Sequence, residues 1–281
     1  MFLSMTGQAQ SAIKVPSQVF SARPLYDIAN VLGNLYGKVV TYEEPVLVWS
    51  GELQPMPGGD GDPNRKRDLM PKPYGFALPP GIGTDTDLAS VIQRIIASHN
   101  AQPLGPRYRL LTSKFGLHIV PSQSRDLNGS LVESRSALDF PIYIPVANRT
   151  PTQHIQQFLS AVKRASGVRV AWGVLGLQQG LDYEFLGRQG SFEWGVAEIS
   201  ARDALIDLFD RSATTFLWLQ RCQPTTSPED SLCSLNVRKL QVSVTDTQGK
   251  AATRVLRFDR CANCPSPDSP PPVPNRSEKS Q

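Results

Sequence analysis

Histidine is scarce in this 281-residue chain, and the scarcity removes one class of function. Only His99, His118 and His154 occur. They fall in separate predicted elements and none is spaced to share a metal ion. The chain also lacks a Gly-x-Ser-x-Gly elbow, a phosphate loop and a Gly-x-Gly-x-x-Gly turn. No run of about 18 apolar residues exists, which excludes a membrane-spanning helix within the sequence. Charge of one sign is missing as well: 29 basic and 25 acidic residues leave a net charge of +4. No basic stripe with interleaved aromatics forms, so nothing supports nucleic-acid binding. Arg65-Lys66-Arg67 reads as a solvated loop rather than a targeting or phosphate-binding patch. No catalytic, cofactor-binding or metal-binding residue is therefore assigned, no cofactor is implied, and the chain reads as a non-enzyme.

What is present is helix grammar. Four apolar stripes follow the i, i+3, i+4, i+7 pattern of an amphipathic helix with one buried face: Leu25, Ile28, Ala29, Leu32, Leu35; Leu88, Val91, Ile92, Ile95, Ile96; Ile155, Phe158, Leu159, Val162; and Ala201, Ala204, Leu205, Leu208. Their starts are marked. Thr150-Pro151-Thr152-Gln153 places a hydroxyl at the N-cap, proline at the first helical position and a glutamine that can reach back to the cap. Ser200 with Asp203 repeats the arrangement, Thr84 with Asp87 is a looser copy, and Pro24 opens the first helix. Gly37 and Gly167 stand where left-handed C-caps are expected.

Each helix is followed by a run that alternates apolar and polar like a half-buried strand: Val40 and Tyr42, Tyr108 and Leu110, Val168 with Val170 and Trp172, Phe216 and Trp218. Strands also lead into the third and fourth helices, from Phe140 to Ile144 and from Phe192 to Val196. The fold class is thus α+β: two tandem strand-helix-strand-strand-helix-strand modules, each a small sheet backed by two helices. The first spans 17–122 and the second 138–260, joined by a polar linker at 123–137. A Pro/Gly-rich surface loop is expected at 55–73. A terminal hairpin is expected from 237–246 and 253–258 around Gln248-Gly249. The segment 261–281, rich in proline, cannot bury enough apolar surface to offset its ordering entropy and is expected to be disordered.

The cysteines and the N-terminus bear on location. Cys222 ends one predicted strand and Cys233 begins the next, so a hairpin would set them side by side as a disulfide. Cys261 and Cys264 could close a second, small ring. The set lacks the paired Cys-x2-Cys spacing of a zinc ribbon, and Pro265 stands where haem attachment would need histidine. Residues 1–16 read as the remnant of a signal peptide, with Gly7 and Ala9, or alternatively Ala12, as the small residues before a cleavage site. The competing reading is a short cytoplasmic tail. The expected location is periplasmic or secreted, and cytoplasmic if the N-terminus is complete as given. Glu43-Glu44 at a strand end, and Asp203, Asp207 and Asp210 on one helix face, read as solvated surface. His99 and His154 read as ordinary structural positions. Asn128-Gly-Ser and Asn148-Arg-Thr match the glycosylation pattern, a match that arises often by chance.

The segment from Phe20 through Pro24, Leu25, Ala29 and Leu32 into Gly37, Val40 and Tyr42 resembles the short N-terminal domain shared by secretins and TonB-dependent receptors. The segment from Ile199 through Ala201, Ala204, Leu205 and Leu208 to Phe216 and Trp218 resembles the second half of the same domain. There are departures: Ser212-Ala213 replaces the expected glycine, the 55–73 insertion is long, and no barrel or pore follows. A receptor or pore role is therefore unsupported. The resemblance implies a periplasmic recognition or assembly module that binds a protein partner, with no catalytic residues to carry over. Two alternatives stand beside it. One is an enzyme, with a thiol-based site at Cys261 and Cys264 or a site assembled from residues distant in sequence. The other is a glycan-binding module using Trp49, Trp172, Trp194 and Trp218, for which core packing is the competing role.

Overall fold

The computed structural model describes residues 17–56, 69–82, 87–173, 190–212, 215–225, 230–245 and 251–255. The fold is α+β. In the first half, β1 (Gln18–Ser21), α1 (Pro24–Tyr36) and β2 (Val40–Tyr42) are followed by β3 (Leu53–Pro55), β4 (Leu69–Pro71), β5 (Tyr74–Ala77), α2 (Leu88–Asn100), β6 (Arg107–Thr112), β7 (Leu117–Arg125) and β8 (Leu131–Glu133). The second half runs β9 (Pro141–Arg149), α3 (Pro151–Ser166), β10 (Arg169–Gly173), β11 (Phe192–Ser200), α4 (Ala201–Asp210), β12 (Phe216–Cys222) and β13 (Leu232–Lys239). A hairpin of β14 (Gln241–Thr245) and β15 (Ala251–Val255) follows.

The helix signals explain the helices. Thr150 and Gln153 form the reciprocal capping box of α3, and Pro151 opens it. Ser200 Oγ accepts the Asp203 amide at the start of α4. Gly37 and Gly167 end α1 and α3 at φ 57° and 75°, in the left-handed region that glycine enters without a Cβ penalty. At α2 the cap is Asp87 itself, accepting from the Ala89 and Ser90 amides; Thr84 lies outside the described residues. All four apolar stripes face the core. Their members are buried except Leu35 and Leu159, which are half-buried.

The pairing repeats from one half to the other. β1 pairs antiparallel with β5, and β9 with β11. β2 runs parallel and β6 antiparallel to β7; β10 runs parallel and β12 antiparallel to β13. The two three-stranded units then meet edge to edge. β12 lies parallel to β2 with Leu219 opposite Tyr42, giving a seven-stranded sheet ordered β10-β13-β12-β2-β7-β6, with β8 on β7.

This seam overrides the expected alternation. Every residue of β2 is buried, and β12 is buried from Phe216 through Gln220. The reason is that the helices of the two halves cover opposite faces. On one face Tyr26 of α1 meets Tyr42 edge-on at 5.8 Å, and a Cβ built on Gly33 of α1 would stand 3.7 Å from Leu217 Cδ2. On the other, Phe209 of α4 packs 5.3 Å from Phe216 and 6.1 Å from Trp218. Neighbouring strand residues point to opposite faces, so both faces of the seam are apolar.

The connecting segments differ in part from the sequence reading. Within 123–137, residues 123–125 complete β7, and Leu131–Glu133 pair with them as β8. The ends of the expected 55–73 loop pair as the ribbon β3–β4, and 57–68 lie outside the described residues. Residues 237–239 belong to β13, so the terminal hairpin starts at Gln241. The remnant 1–16 and the tail 261–281, with Cys261 and Cys264, lie outside the described residues. No described helix is long and apolar enough to cross a membrane.

Candidate functional site at the seam between the modules

Polar chemistry concentrates where β2 ends. Glu43 and Glu44 are 0 % and 2 % exposed, which corrects the expectation of a solvated surface. Strand geometry sends these neighbours to opposite sides, and each finds an arginine. Arg202 of α4 donates to Glu43 through Nε at 2.7 Å and Nη2 at 2.6 Å. The same Nη2 lies 2.6 Å from Asp139 Oδ1, and Trp218 Nε1 donates to Glu43 at 3.4 Å. Arg23, before α1, donates through Nε to both oxygens of Glu44, at 2.9 and 3.0 Å. Glu44 Oε2 also accepts the Cys222 amide at 2.7 Å, and Arg23 Nη2 donates to the Cys222 carbonyl at 2.9 Å.

Both pairs therefore tie strand β2 into the second half, one through α4 and one through the end of β12. Burial alone would raise Glu43, but the Arg202 guanidinium beside it outweighs that and holds the carboxyl below its usual value. At Glu44 burial wins over Arg23 and the Cys222 amide, and the carboxyl sits above its usual value. The sequence carried one signal for these pairs. Arg23 and Arg202 stand at helix N-termini, where the macrodipole disfavours cations. Such placement makes sense once each faces a buried carboxylate.

The three histidines and the acidic face of α4 also find internal partners. His118 bonds Thr41 Oγ1 at 2.8 Å and Ser113 Oγ at 2.7 Å, and stacks on Trp218. His99 meets the Tyr74 hydroxyl at 2.6 Å. Burial lowers both imidazoles to about 4. His154 Nε2 lies 2.9 Å from the Phe192 carbonyl. Asp207 accepts Trp194 Nε1 at 2.9 Å, and Asp210 pairs with Lys114, so that helix face is more than solvated surface. Among the tryptophans, Trp194 and Trp218 are buried and Trp172 is half-buried beside Phe209. Trp49 lies under the Arg125 guanidinium at 4.8 Å.

Cys222 and Cys233 form the expected disulfide, bridging β12 and β13. Their Cα atoms are 3.9 Å apart, closer than the roughly 4.4–6.8 Å common for disulfides. The Cys222 amide bonds Glu44 rather than Cys233, so the cysteines occupy a non-hydrogen-bonded pair, where opposed Cα atoms approach most closely. Cys261 and Cys264 are not placed near them, lying outside the described residues.

Two cavities border this region. A small one of about 20 Å³ is lined by Arg23, Tyr42, Glu44, Glu52, Tyr74 and Tyr108, among others. A cleft of about 460 Å³ opens beside the disulfide, between β8, Phe140, Ser166 with Val168, and Gln220. Glu44 touches both cavities, yet both of its oxygens are already bonded. Among the described residues no three His, Cys, Asp or Glu side chains group to hold a metal ion. The buried ions thus act on one another and fasten the two halves. Comparison with known proteins finds no match among family models, curated proteins or solved structures.

Proposed function

We propose that this chain is a non-enzymatic protein of the periplasm or of the secreted set, which binds a protein partner through the surfaces of its paired strands. The observation that carries the reading is where apolar surface is left open. Phe20 on β1 is 74 % exposed, and Tyr143 and Val146 on β9 are 58 % and 64 % exposed. Leu127, Leu131 and Val132 are exposed on the β7–β8 hairpin. Large apolar side chains held on ribbons rather than in the core are what a partner would cover. The buried carboxylates Glu43 and Glu44, by contrast, are engaged by Arg202, Arg23 and the Cys222 amide. The disulfide favours an oxidising compartment. Burial of Trp194 and Trp218 removes half of the aromatic set that motivated glycan binding.

The test is photo-cross-linking in the cells that make the protein. A photoreactive phenylalanine replaces Phe20, Val132 or Tyr143, and a control replaces Gln157 on the exposed face of α3. A discrete adduct from one or more ribbon positions, absent at Gln157, supports the reading. Adducts at none of the ribbon positions would contradict it.

A further inference from the structure

The reading of the chain as a protein-binding module can be taken to a definite site and mode. We propose that the cleft beside the Cys222–Cys233 disulfide takes an extended segment of a partner protein, added as a strand to the open edge of β8. This rests on the protein-binding reading and narrows it to one place.

The hydrogen-bond ladder shows which groups are open. Asp126 N donates to Ser130 O at 2.9 Å and Ser134 N to Ser122 O at 3.0 Å. In an antiparallel pair the inward-bonding residues alternate. Val132, between Ser130 and Ser134, therefore turns its amide and carbonyl toward β7, opposite Ser124. Leu131 and Glu133 turn theirs to the outer edge. Glu133, Ser134 and Arg135 line the cleft, so the outward main chain of Glu133 meets a volume of about 460 Å³, within the range of ligand-binding clefts. A peptide backbone is the ligand that offers donors and acceptors at strand spacing.

Three other edges are guarded. On β9, Pro141 and Pro145 have no amide hydrogen to donate, and Arg149 Nη1 covers the Pro145 carbonyl at 3.0 Å. β11 carries Glu198 at φ 52° and two register shifts, which bend it away from regular pairing. On β6 the Asn100 side chain takes both the amide and the carbonyl of Tyr108, at 3.0 and 2.8 Å. The β8 edge has no such cover among the described residues, and it borders a cleft.

Charge fixes the chemistry of the segment. Glu133 ends β8 and Arg135 lies two residues on, with side chains 77 % and 66 % exposed, and among the described residues they pair with each other at 3.4 Å. A bound strand would set a basic residue across from Glu133 and an acidic one across from Arg135. An apolar residue of the segment can lodge against Val46, Phe140 and Val168 in the cleft wall. The occupant is thus an extended peptide with a basic and an acidic residue two apart, and an apolar residue beside them.

The experiment pans a phage-displayed library of random 12-residue peptides over the full, oxidised chain and follows a synthetic copy of the selected peptide by amide hydrogen exchange. Binding should slow the Leu131 and Glu133 amides at least tenfold and leave Val132, already bonded to β7, nearly unchanged. Repeating the selection on Arg135→Glu should replace the acidic position of the peptides by a basic one. Arg135 is exposed, so this variant leaves the fold intact. Peptides that bind while the Leu131 and Glu133 amides stay unchanged would overturn the site but leave the protein-binding reading standing. Failure to select any peptide would overturn the strand mode, while cross-linking from the ribbons tests the broader reading separately.

Discussion

Acid should loosen this fold well above the pH at which its carboxylates protonate, and His99 and His118 are the cause. Both are neutral and buried, at 0 % and 1 % exposure. Each titrates near 6.5 in the unfolded chain and about 4 in the folded one. A depressed folded value means that the unfolded chain takes the proton first. The stabilisation from each histidine is therefore fully present above 6.5 and is lost as pH falls toward 4. At pH 5 each costs about 2 kcal/mol relative to neutral pH, so the two together cost about 4 kcal/mol. That is a large part of a typical stability of about 5–15 kcal/mol. His154, also lowered by burial, acts in the same direction. Glu44 and Glu52, which burial raises, act the other way, because the folded chain protonates them more readily as pH falls. The clean measurement is consequently a difference. Urea unfolding at pH 5 to 6 should show a slope smaller by about 1.2 kcal/mol per pH unit in His118→Gln, and likewise in His99→Gln, than in the parent chain. Each variant will be less stable outright, since His118 stacks on Trp218 and His99 bonds Tyr74. Only the slope bears on the reasoning. Slopes equal to the parent in both variants would show that these imidazoles are not held neutral by burial.

Three further outcomes are expected. Replacing Arg202 by Ala leaves Glu43 buried without its partner and should cost about 3–5 kcal/mol in chemical denaturation, whereas Glu43→Leu combined with Arg202→Met should recover most of it. A single variant as stable as the parent would refute the pairing. Removing the disulfide by Cys222→Ser and Cys233→Ser opens a loop of about a dozen residues and should cost about 3 kcal/mol; thiol reductant should destabilise the parent similarly and the variant not at all. Leu32→Asp and Leu205→Asp each set an unpaired charge in the core and should lower stability by several kcal/mol in thermal melts followed by circular dichroism; unchanged melts would refute the stripe assignment.

The local code was legible and the long-range code was not. Thr150 with Gln153, Pro24, Gly37 and Gly167 mark helix ends because capping acts within four residues. Cys222 and Cys233 were pairable because a hairpin is also local. Glu43 and Glu44 were misread because their partners lie 159 and 21 residues away, and 178 in the case of the Cys222 amide. No short window holds that information. β2 and β12 were read as half-buried because each was assigned one sheet face to solvent. In the fold the seam is covered on one face by α1, at Tyr42 and Leu217, and on the other by α4, at Phe216 and Trp218. The Thr84 reading failed by one turn: Asp87 is the stronger cap and sits directly before the apolar stripe.

The two similar halves form one cooperative body, closed along β2 and β12 and fastened by Glu43–Arg202 and by the bonds of Glu44 and Arg23 to the Cys222 backbone. Native-state hydrogen exchange of the hydrogen-bonded amides in β2 and β12 tests it most directly. These seam amides should be among the slowest in the chain and exchange only with global unfolding, so that their opening free energy equals that from urea denaturation. Seam amides that exchange through a lower-energy opening, while the cores around α2 and α3 stay protected, would show that the halves separate and would contradict it.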